Sequence, residues 1–479
     1  MEMSHQAGAE AESLLRQERG AVVMPGQRQG RWDGADEKAP FLRNEPVKLT
    51  PAWEGNNLPN DTLNLKGIAM DTSEPKDKWH LIFLTFLLHG LGTLTAWNMF
   101  ITAKDYFVKY KLVNAPTYSE HYLAYVGWAS QIPNLVFSWL NIFVKPKGNL
   151  TNRIVMSLIV EVVIFVFNVI LAMMDSSGWP AAFFWLTMLS VFFLNGFNAI
   201  FQNSVYGVAA LLPAKYTGAV VMGSNLCGLL IVFLNWCSVM FDNPRTAAIY
   251  YFIGGMFVML ICIDSYFALP LNKFYRYHEA LQEQHKSAEA DKPHGMRVSR
   301  AKIFAQASLQ LYNVFITFVV TLAVFPSVIS DIEPNTEGFL GENFVRITCF
   351  LTFNVTALLG NVTASLKQIP GPKWLVIFTT IRLVFIPFFL LCKYKSATRT
   401  LPILISNDYV FWIASALMGW TSGHGSSLAM MYIGGTVPPE QQGTAGMMGG
   451  AMLVTGIITG ITFTRLCPII VTADIWRSL

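Results

Sequence analysis

From residue 79 to residue 467 the chain alternates long apolar stretches with short polar breaks. Eleven stretches stand out, at 79–103, 121–144, 153–174, 180–208, 216–240, 246–271, 303–330, 343–366, 373–392, 408–433 and 444–467. Each is long enough to cross a bilayer, because a helix rises about 1.5 Å per residue and roughly 20 apolar residues span the hydrocarbon core. Turn residues fill the breaks: Lys145-Pro-Lys-Gly148, Ser176-Ser-Gly-Trp-Pro180, Pro213, Asp242-Asn-Pro244 and Pro370-Gly-Pro372. The longest internal break, 272–302, is charged, contains no apolar run and divides the spans into six and five. The pattern predicts an all-α integral membrane protein of eleven transmembrane helices. It has a disordered polar tail at 1–78, a six-helix bundle at 79–271, a cytosolic loop at 272–302, a five-helix bundle at 303–467 and a short external C-terminus at 468–479.

Orientation follows from Lys and Arg in the connections. One side collects Lys145, Lys147, Arg153, Lys215, Lys273, Arg276, Arg297, Arg300, Lys302, Lys367 and Lys373; the other has Lys104, Lys109, Lys111, Arg245, Lys393, Lys395 and Arg399. This bias puts the tail and the 272–302 segment in the cytosol. The sequons at Asn60 and Asn149 then face the cytosol, those at Asn354 and Asn361 fall inside a span, and none is expected to be glycosylated. The tail has no apolar core of signal-peptide length. It does contain Glu10-Ala-Glu-Ser-Leu14-Leu15, similar to an acidic dileucine sorting signal, so a plasma-membrane location has an endosomal or lysosomal alternative.

Composition narrows the function. Of 479 residues, 53% are hydrophobic and 13% charged, against about 25% charged in a soluble domain. A net charge of +4 with scattered Lys and Arg does not suggest nucleic acid. The six cysteines lie in or at the ends of apolar stretches without a CxxC pair, so neither disulfides nor a metal site are expected. There is no phosphate-binding Gly-Lys-Ser/Thr loop, no HExxH and no GxSxG elbow, so neither an enzyme, a cofactor nor ATP-driven pumping is indicated. What remains is a passive or ion-coupled carrier whose partners are a small solute and the lipid bilayer.

Polar residues within the spans are the candidates for its site, since a charge at the bilayer centre costs at least about 2.5 kcal/mol. Glu161, Arg382, His89 and His424 sit well inside spans. Asn198 and Gln202 are one helical turn apart, and Asn354 and Asn361 are two turns apart, so each pair shares a face. Polar groups on so many helices suggest a wet central cavity; the alternative for each is a helix–helix hydrogen bond. Small residues four apart (Gly419/Gly423, Gly446/Gly450, Gly456/Gly460) fit close helix packing in lipid.

Ala96-Trp-Asn-Met-Phe-Ile-Thr-Ala103 resembles the PWNxFxTA signature of the equilibrative nucleoside transporter family, with Ala96 in place of Pro. Further segments agree in order: Asn195-Gly-Phe-Asn-Ala-Ile-Phe-Gln-Asn-Ser-Val-Tyr-Gly207, Leu212-Pro213, Tyr216-Thr217, Val324-Phe-Pro-Ser-Val328, Cys349-Phe-Leu-Thr-Phe-Asn354, Arg382-Leu-Val-Phe-Ile-Pro387 and Gly443-Thr-Ala-Gly446. The resemblance implies a major-facilitator-like arrangement and facilitated diffusion of nucleosides or nucleobases by alternating access. It also implies roles: Trp97 and Asn98 at the nucleobase pocket, and Gln202 on the base edge. Gly223 and Gly228 keep the path open, Phe325 and Pro326 form a bend over the solute, and Phe350 and Asn354 line the cavity. Asn198 and Arg382 join the path and its gating.

In span eight the family pattern is FNxxDxxGR, with Asp and Arg holding ribose hydroxyls; this chain has Ala357 and Asn361 instead, and Gly443 replaces an acidic residue at the start of span eleven. Losing one charged hydrogen bond costs on the order of 1.5–3 kcal/mol, while losing both partners leaves no unpaired ion. Asn361 stays a candidate solute contact. Glu161 and His424 lie outside the family pattern and are the candidates for proton linkage. Two further readings stay open: a carrier of the same fold for a nucleobase, organic cation or other small polar solute, and a transport-inactive regulatory member.

Overall fold

The computed structural model describes residues 75–473 apart from 144–149, 242, 291–298, 336, 338–340, 342 and 397. The dileucine segment, the sequons at Asn60 and Asn149 and the last six residues lie outside the described residues. Among those described the chain is helical, with only isolated bridges between Ile332 and Tyr394 and between Cys392 and Ile405.

The principal helices are α1 (Leu81–Thr102), α2 (Tyr122–Phe143), α3 (Leu150–Met173), α4 (Pro180–Ala209), α5 (Ala214–Val239), α6 (Pro244–Ala268), α7 (Lys273–Ala290), α8 (Arg300–Val324), α9 (Thr352–Leu366), α10 (Leu375–Leu391), α11 (Asp408–Ile433), α12 (Gln442–Thr464) and α13 (Leu466–Thr472). Seven segments among the described residues are long and apolar enough to cross a membrane, namely those containing α1, α3, α4, α6, α8, α9 and α12. The α10 segment is apolar but shorter. Helices α2, α5 and α11 run 22, 26 and 26 residues. Their apolar runs are diluted by small and polar residues that the fold buries, such as Asn134 and Asn141 on α2 and Ser415, Ser422, His424 and Ser427 on α11.

The segment expected to be a cytosolic loop begins as helix α7. Its apolar stripe is too sparse to register as a run, yet Phe274, Tyr275 and Ala280 are buried. Asn272 starts it by accepting the Phe274 amide proton at 2.9 Å. Helix α8 stops at Val324 because Pro326 disfavours a helical conformation in the residue before it, and Phe325 is extended (φ −100°, ψ 137°). Helix α10 is interrupted by a tighter turn at Arg382–Val384.

In the N-terminal half α1 packs on α5 and α4, α2 on α4, and α3 on α4 and α6; in the C-terminal half α8 packs on α11 and α12, and α9 on α11. The halves meet where α5 lies against α9 and α11, and where α2 and α4 lie against α12. Two seams require glycine. A Cβ on Gly223 would stand 1.9 Å from the Leu87 carbonyl oxygen, and one on Gly423 would stand 2.0 Å from that of Ala357. The other small pairs noted in the sequence also sit on seams, Gly446/Gly450 against α4 and Gly456/Gly460 against α8.

The buried apolar side chains form two clusters. The larger runs from Ile82 through the N-terminal half and continues into Leu428–Val437 and Ala445–Val454 of the C-terminal half. The smaller, built from Ala323–Ile332, Phe344–Ala357, Phe389–Tyr394, Phe411–Met418 and Cys467–Val471, lies wholly within the C-terminal half. The halves therefore share one core at one end of the molecule and have separate packing at the other.

Candidate functional site: buried polar groups between the halves

Helices α1, α4 and α5 meet around a set of buried polar groups. Thr93 Oγ1 donates to the Gly90 carbonyl at 2.6 Å and lies 3.1 Å from Ser224 Oγ of α5. Asn198 Nδ2 donates to the Thr93 carbonyl at 2.7 Å, which uses one of its two donors, and Oδ1 has no partner among the described residues. One turn on, Gln202 is 2% exposed, and its Oε1 also lacks a partner. Next to it Asn203 donates to the Ser138 carbonyl at 2.9 Å while its Oδ1 has none. Three amide oxygens within two turns of α4 are thus buried and unsatisfied among the described residues. A group left so costs about 1–3 kcal/mol, so native proteins rarely keep several together without a use.

Towards one side of this cluster the halves close tightly. A Cβ on Gly207 would lie 2.9 Å from Met447 and 3.1 Å from the Gly443 carbonyl, and one on Gly218 would lie 3.0 Å from Met431 Sδ. Trp139 Nε1 donates to Thr455 Oγ1 at 3.1 Å across the same seam. Towards the other side Trp97, Asn98, Gly228 and Asn354 are only half-buried. Asn98 Nδ2 donates to the Leu94 carbonyl at 3.0 Å and lies 3.7 Å from Cys227 Sγ. Gly228 faces Asn354, whose Oδ1 would be 3.3 Å from a Cβ at that glycine. Asn354 Nδ2 donates to the Phe350 carbonyl at 2.8 Å. Phe325 stacks on Phe353 with ring centroids 3.8 Å apart and meets the edge of Phe350 at 6.0 Å. Phe350 itself is 44% exposed.

The remaining sequence candidates lie elsewhere. Gly223 sits in the α1–α5 seam. Arg382 is buried inside the C-terminal half, where Nε donates to Thr421 Oγ1 (3.1 Å), Nη1 to the Thr317 carbonyl (2.8 Å) and Nη2 to Thr321 Oγ1 (2.8 Å). His424 has both ring nitrogens engaged. Nε2 lies 2.6 Å from the Ile369 carbonyl, so it carries a proton, and Nδ1 lies 3.0 Å from Thr363 Oγ1. Its ring stacks on Trp420 at 5.1 Å. Asn361 is fully buried in the α9–α11 seam, accepting from Ser427 Oγ at 3.0 Å with Nδ2 unpartnered. Ala357 is also buried there. Glu161 is fully buried in the N-terminal half, and neither oxygen has a partner among the described residues. His89 of α1 resembles it, with Nδ1 unpartnered and Nε2 3.3 Å from Ser265 Oγ. Glu161 and His424, paired in the sequence reading as candidates for proton linkage, thus stand in different halves.

Sequence reasoning missed Asn203, Thr93 and Ser224, and the threonines that cage Arg382. Thr317 and Thr321 are spaced four apart on α8, which is the one signal that marks them as a pair on a face.

A family model described as nucleoside transporter matches residues 188–467, more than half of the chain. The chain belongs to the nucleoside transporter family. Equilibrative nucleoside transporter 1 of Homo sapiens is 28% identical over 459 residues, covering 84% of this chain and 100% of that protein. Equilibrative nucleoside transporter 2 of Rattus norvegicus is 29% identical over 448 residues (82% and 98%), and equilibrative nucleoside transporter 3 of the same organism is 27% identical over 407 residues (78% and 85%). Among solved structures, the major facilitator superfamily proton:xylose symporter XylE bound to 6-bromo-6-deoxy-D-glucose matches with a TM-score of 0.56 at 14% identity, over 81% of this chain and 87% of that one. A double-tryptophan XylE mutant matches at 0.57 and 14% identity, over 83% and 89%. The fold is therefore major-facilitator-like, and the chain is a multi-pass membrane protein of a transporter family.

Proposed function

We propose that the chain is a facilitative transporter of nucleosides or nucleobases that works by alternating access, with all eleven apolar stretches crossing the membrane as bundles of six (79–271) and five (303–467). The tail and the 272–302 segment face the cytosol, the C-terminus faces outside, and the membrane is the plasma membrane. The observation that carries the reading is the row of unsatisfied amide oxygens on α4, buried between a sealed end and a half-open end of the two halves. Amide groups offer both donor and acceptor, which suits a base edge. Gln202 is the central contact, with Asn198 beside it, Trp97, Asn98, Asn354 and Phe350 at the open end, and Gly228, Phe325 and Pro326 forming the bend through which the path closes. Family membership supports the solute class, as does the identity shared with proteins named equilibrative nucleoside transporters.

The test is uptake of radiolabelled adenosine, adenine and a monoamine by cells expressing the chain. Adenosine or adenine uptake well above that of control cells supports the reading; uptake of the monoamine alone overturns it. A second reading is favoured by Glu161, a buried carboxyl without a partner: the same carrier linked to a proton, or accepting an organic cation. Adenosine uptake that changes with external pH in the wild type but not in Glu161→Gln would select it. Ala357 and Asn361, where the family pattern has an acid and a base, lie in the α9–α11 seam. Weaker hold on ribose than on the base is the expected consequence.

A further inference from the structure

The segment after α1, the α3–α4 connection and the start of α6 enclose a cavity of about 300 Å³. Its charged lining is Lys111, Asp175 and Arg245, all outside the apolar stretches. Lys111 is 6% exposed, and its Nζ donates to the Met174 carbonyl, which uses one of its three protons. Arg245 is exposed on the first turn of α6, and its side chain has no hydrogen bond or ion pair among the described residues. Burial lowers the Lys111 pKa, Arg245 lowers it further and Asp175 opposes them, so the three charges lie within reach of one another. The amide and hydroxyl of Ser177 hold the Asp175 carboxyl below the usual carboxylate range, so it stays ionised. Two cations thus stand beside one carboxylate. Like charges held together disfavour each other's charged form, and an anion shared between them reverses this. Part of the rim is apolar. Tyr110, Val113 and Met174 of the lining are exposed, as are Phe241 and Tyr250, whose rings stack at 4.6 Å close to Arg245 in the chain. Exposed aromatic and apolar side chains next to charged ones mark a membrane–water boundary.

We propose that this cavity binds the headgroup of an aminoalkyl phospholipid such as phosphatidylethanolamine, with the phosphodiester between Lys111 and Arg245 and the ammonium against Asp175. Charge-assisted hydrogen bonds from ammonium and guanidinium groups to phosphate oxygens are short and strong. A phosphate without an amine leaves Asp175 unmatched, and an amine alone leaves the two cations unmatched; the zwitterion answers both signs. A soluble aminoalkyl phosphate shares this chemistry, but the exposed Tyr110, Val113 and Met174 offer acyl chains a surface that such a solute does not use. The lining belongs wholly to the N-terminal half, so the site persists whichever way the halves stand. A ligand that binds only the folded chain stabilises it by mass action. In the proposed orientation the lipid belongs to the outer leaflet, and its binding does not depend on which solute is carried.

The experiment counts lipids bound to the purified full-length protein by native mass spectrometry. Phosphatidylethanolamine is titrated against phosphatidylglycerol, which has the phosphodiester without the amine. The wild type is compared with Arg245→Gln and Asp175→Asn, and matching melting temperatures before lipid is added ensure that lost binding is not lost folding. Asp175→Asn keeps the Oδ1 acceptor that the Ser177 amide uses at 3.0 Å. The wild type should bind phosphatidylethanolamine more tightly than phosphatidylglycerol. Arg245→Gln should bind both about tenfold more weakly, and Asp175→Asn should keep phosphatidylglycerol and lose the preference. Equal binding of the two lipids by the wild type, or unchanged binding by Arg245→Gln, overturns the proposal. Competition separates the two sources of the headgroup. Glycerophosphoethanolamine, which lacks acyl chains, should displace the lipid only at far higher concentration; displacement at equal concentration overturns the lipid assignment in favour of a soluble phosphate. In the same samples phosphatidylethanolamine should raise the melting temperature of the wild type and not that of Arg245→Gln. An equal rise in both would mean that the lipid acts elsewhere and would also overturn the proposal.

Discussion

The two halves bury the same kinds of side chain and treat them in opposite ways. In the C-terminal half most buried polar groups are saturated, with Asn361 Nδ2 and Gln441 Oε1 the exceptions among the described residues. Arg382 spends all three nitrogens on Thr317, Thr321 and Thr421, His424 bonds through both ring nitrogens, and Asn313 Oδ1 accepts from Thr379 at 2.9 Å while Nδ2 donates to Gln310 Oε1 at 3.0 Å. In the N-terminal half several lack a partner among the described residues: both oxygens of Glu161, Nδ1 of His89, and the amide oxygens of Asn198, Gln202 and Asn203. A saturated polar group rigidifies a bundle, whereas an open one is a vacancy in the hydrogen-bond count that a solute or proton can fill. The difference puts most of the open acceptors of the proposed site on the N-terminal half, while Asn354, Phe350 and Phe325 of the C-terminal half stand at its open end. It also separates two residues that look alike in the sequence, since mid-span Arg382 is fully hydrogen-bonded and Glu161 has no partner among the described residues.

Removing a saturated group should do the most damage. Arg382→Met removes the donors to the Thr317 carbonyl and to the Thr321 and Thr421 hydroxyls and leaves a buried space in the C-terminal core, and should cost on the order of 3 kcal/mol. It is read as a lower melting temperature and poor monodisperse yield of detergent-solubilised protein. An unchanged melt would mean that the cage around Arg382 is not structural. Removing an open group should do the reverse. Glu161→Met keeps the length of the side chain and deletes an unsatisfied carboxyl, so it should raise stability by about 1–3 kcal/mol in the same melt. A loss of stability would show that Glu161 has a partner in the native protein and would break the comparison between the halves.

Asn361→Arg sharpens the comparison further. The longer cation would enter the α9–α11 seam, where Ser427 now donates to Asn361, and should destabilise by about 2 kcal/mol or more unless Ala357→Asp accompanies it. Full rescue of the melt by the double change would mean that this seam opens to accommodate an ion pair. The smallest effect is expected at His424. His424→Gln keeps a donor for the Ile369 carbonyl and should shift stability by less than about 1 kcal/mol, with the pH profile of uptake unchanged. A flattened profile would move the proton-linked group from Glu161 to His424.

The helices were legible in the chain because each rests on a run of apolar residues, and the mid-span polar residues stood out as interruptions of those runs. Their pairing was not legible. The partners of Arg382 are hydroxyls and carbonyls on α8 and α11, and a threonine in an apolar helix leaves no mark in the hydrophobic pattern. Asn361 and Gln202 read alike in the sequence, yet Ser427, sixty-six positions away, is bonded to one while the oxygen of the other stays free. Helix α7 escaped notice because its buried residues, Phe274, Tyr275 and Ala280, are too few to form a run. The close approach of Gly223 to the Leu87 carbonyl is a contact that only packing reveals.

The claim that the open amides of α4 receive the solute is tested most directly by adenosine uptake into proteoliposomes holding equal amounts of correctly folded wild-type protein and Gln202→Ala. The wild type should carry adenosine inward until the concentrations are equal. Gln202→Ala should melt at the wild-type temperature or above it, because it removes an unsatisfied group, yet transport about tenfold more slowly or worse. Wild-type rates in Gln202→Ala, with the same melt, would contradict the account and leave Gln202 a packing residue.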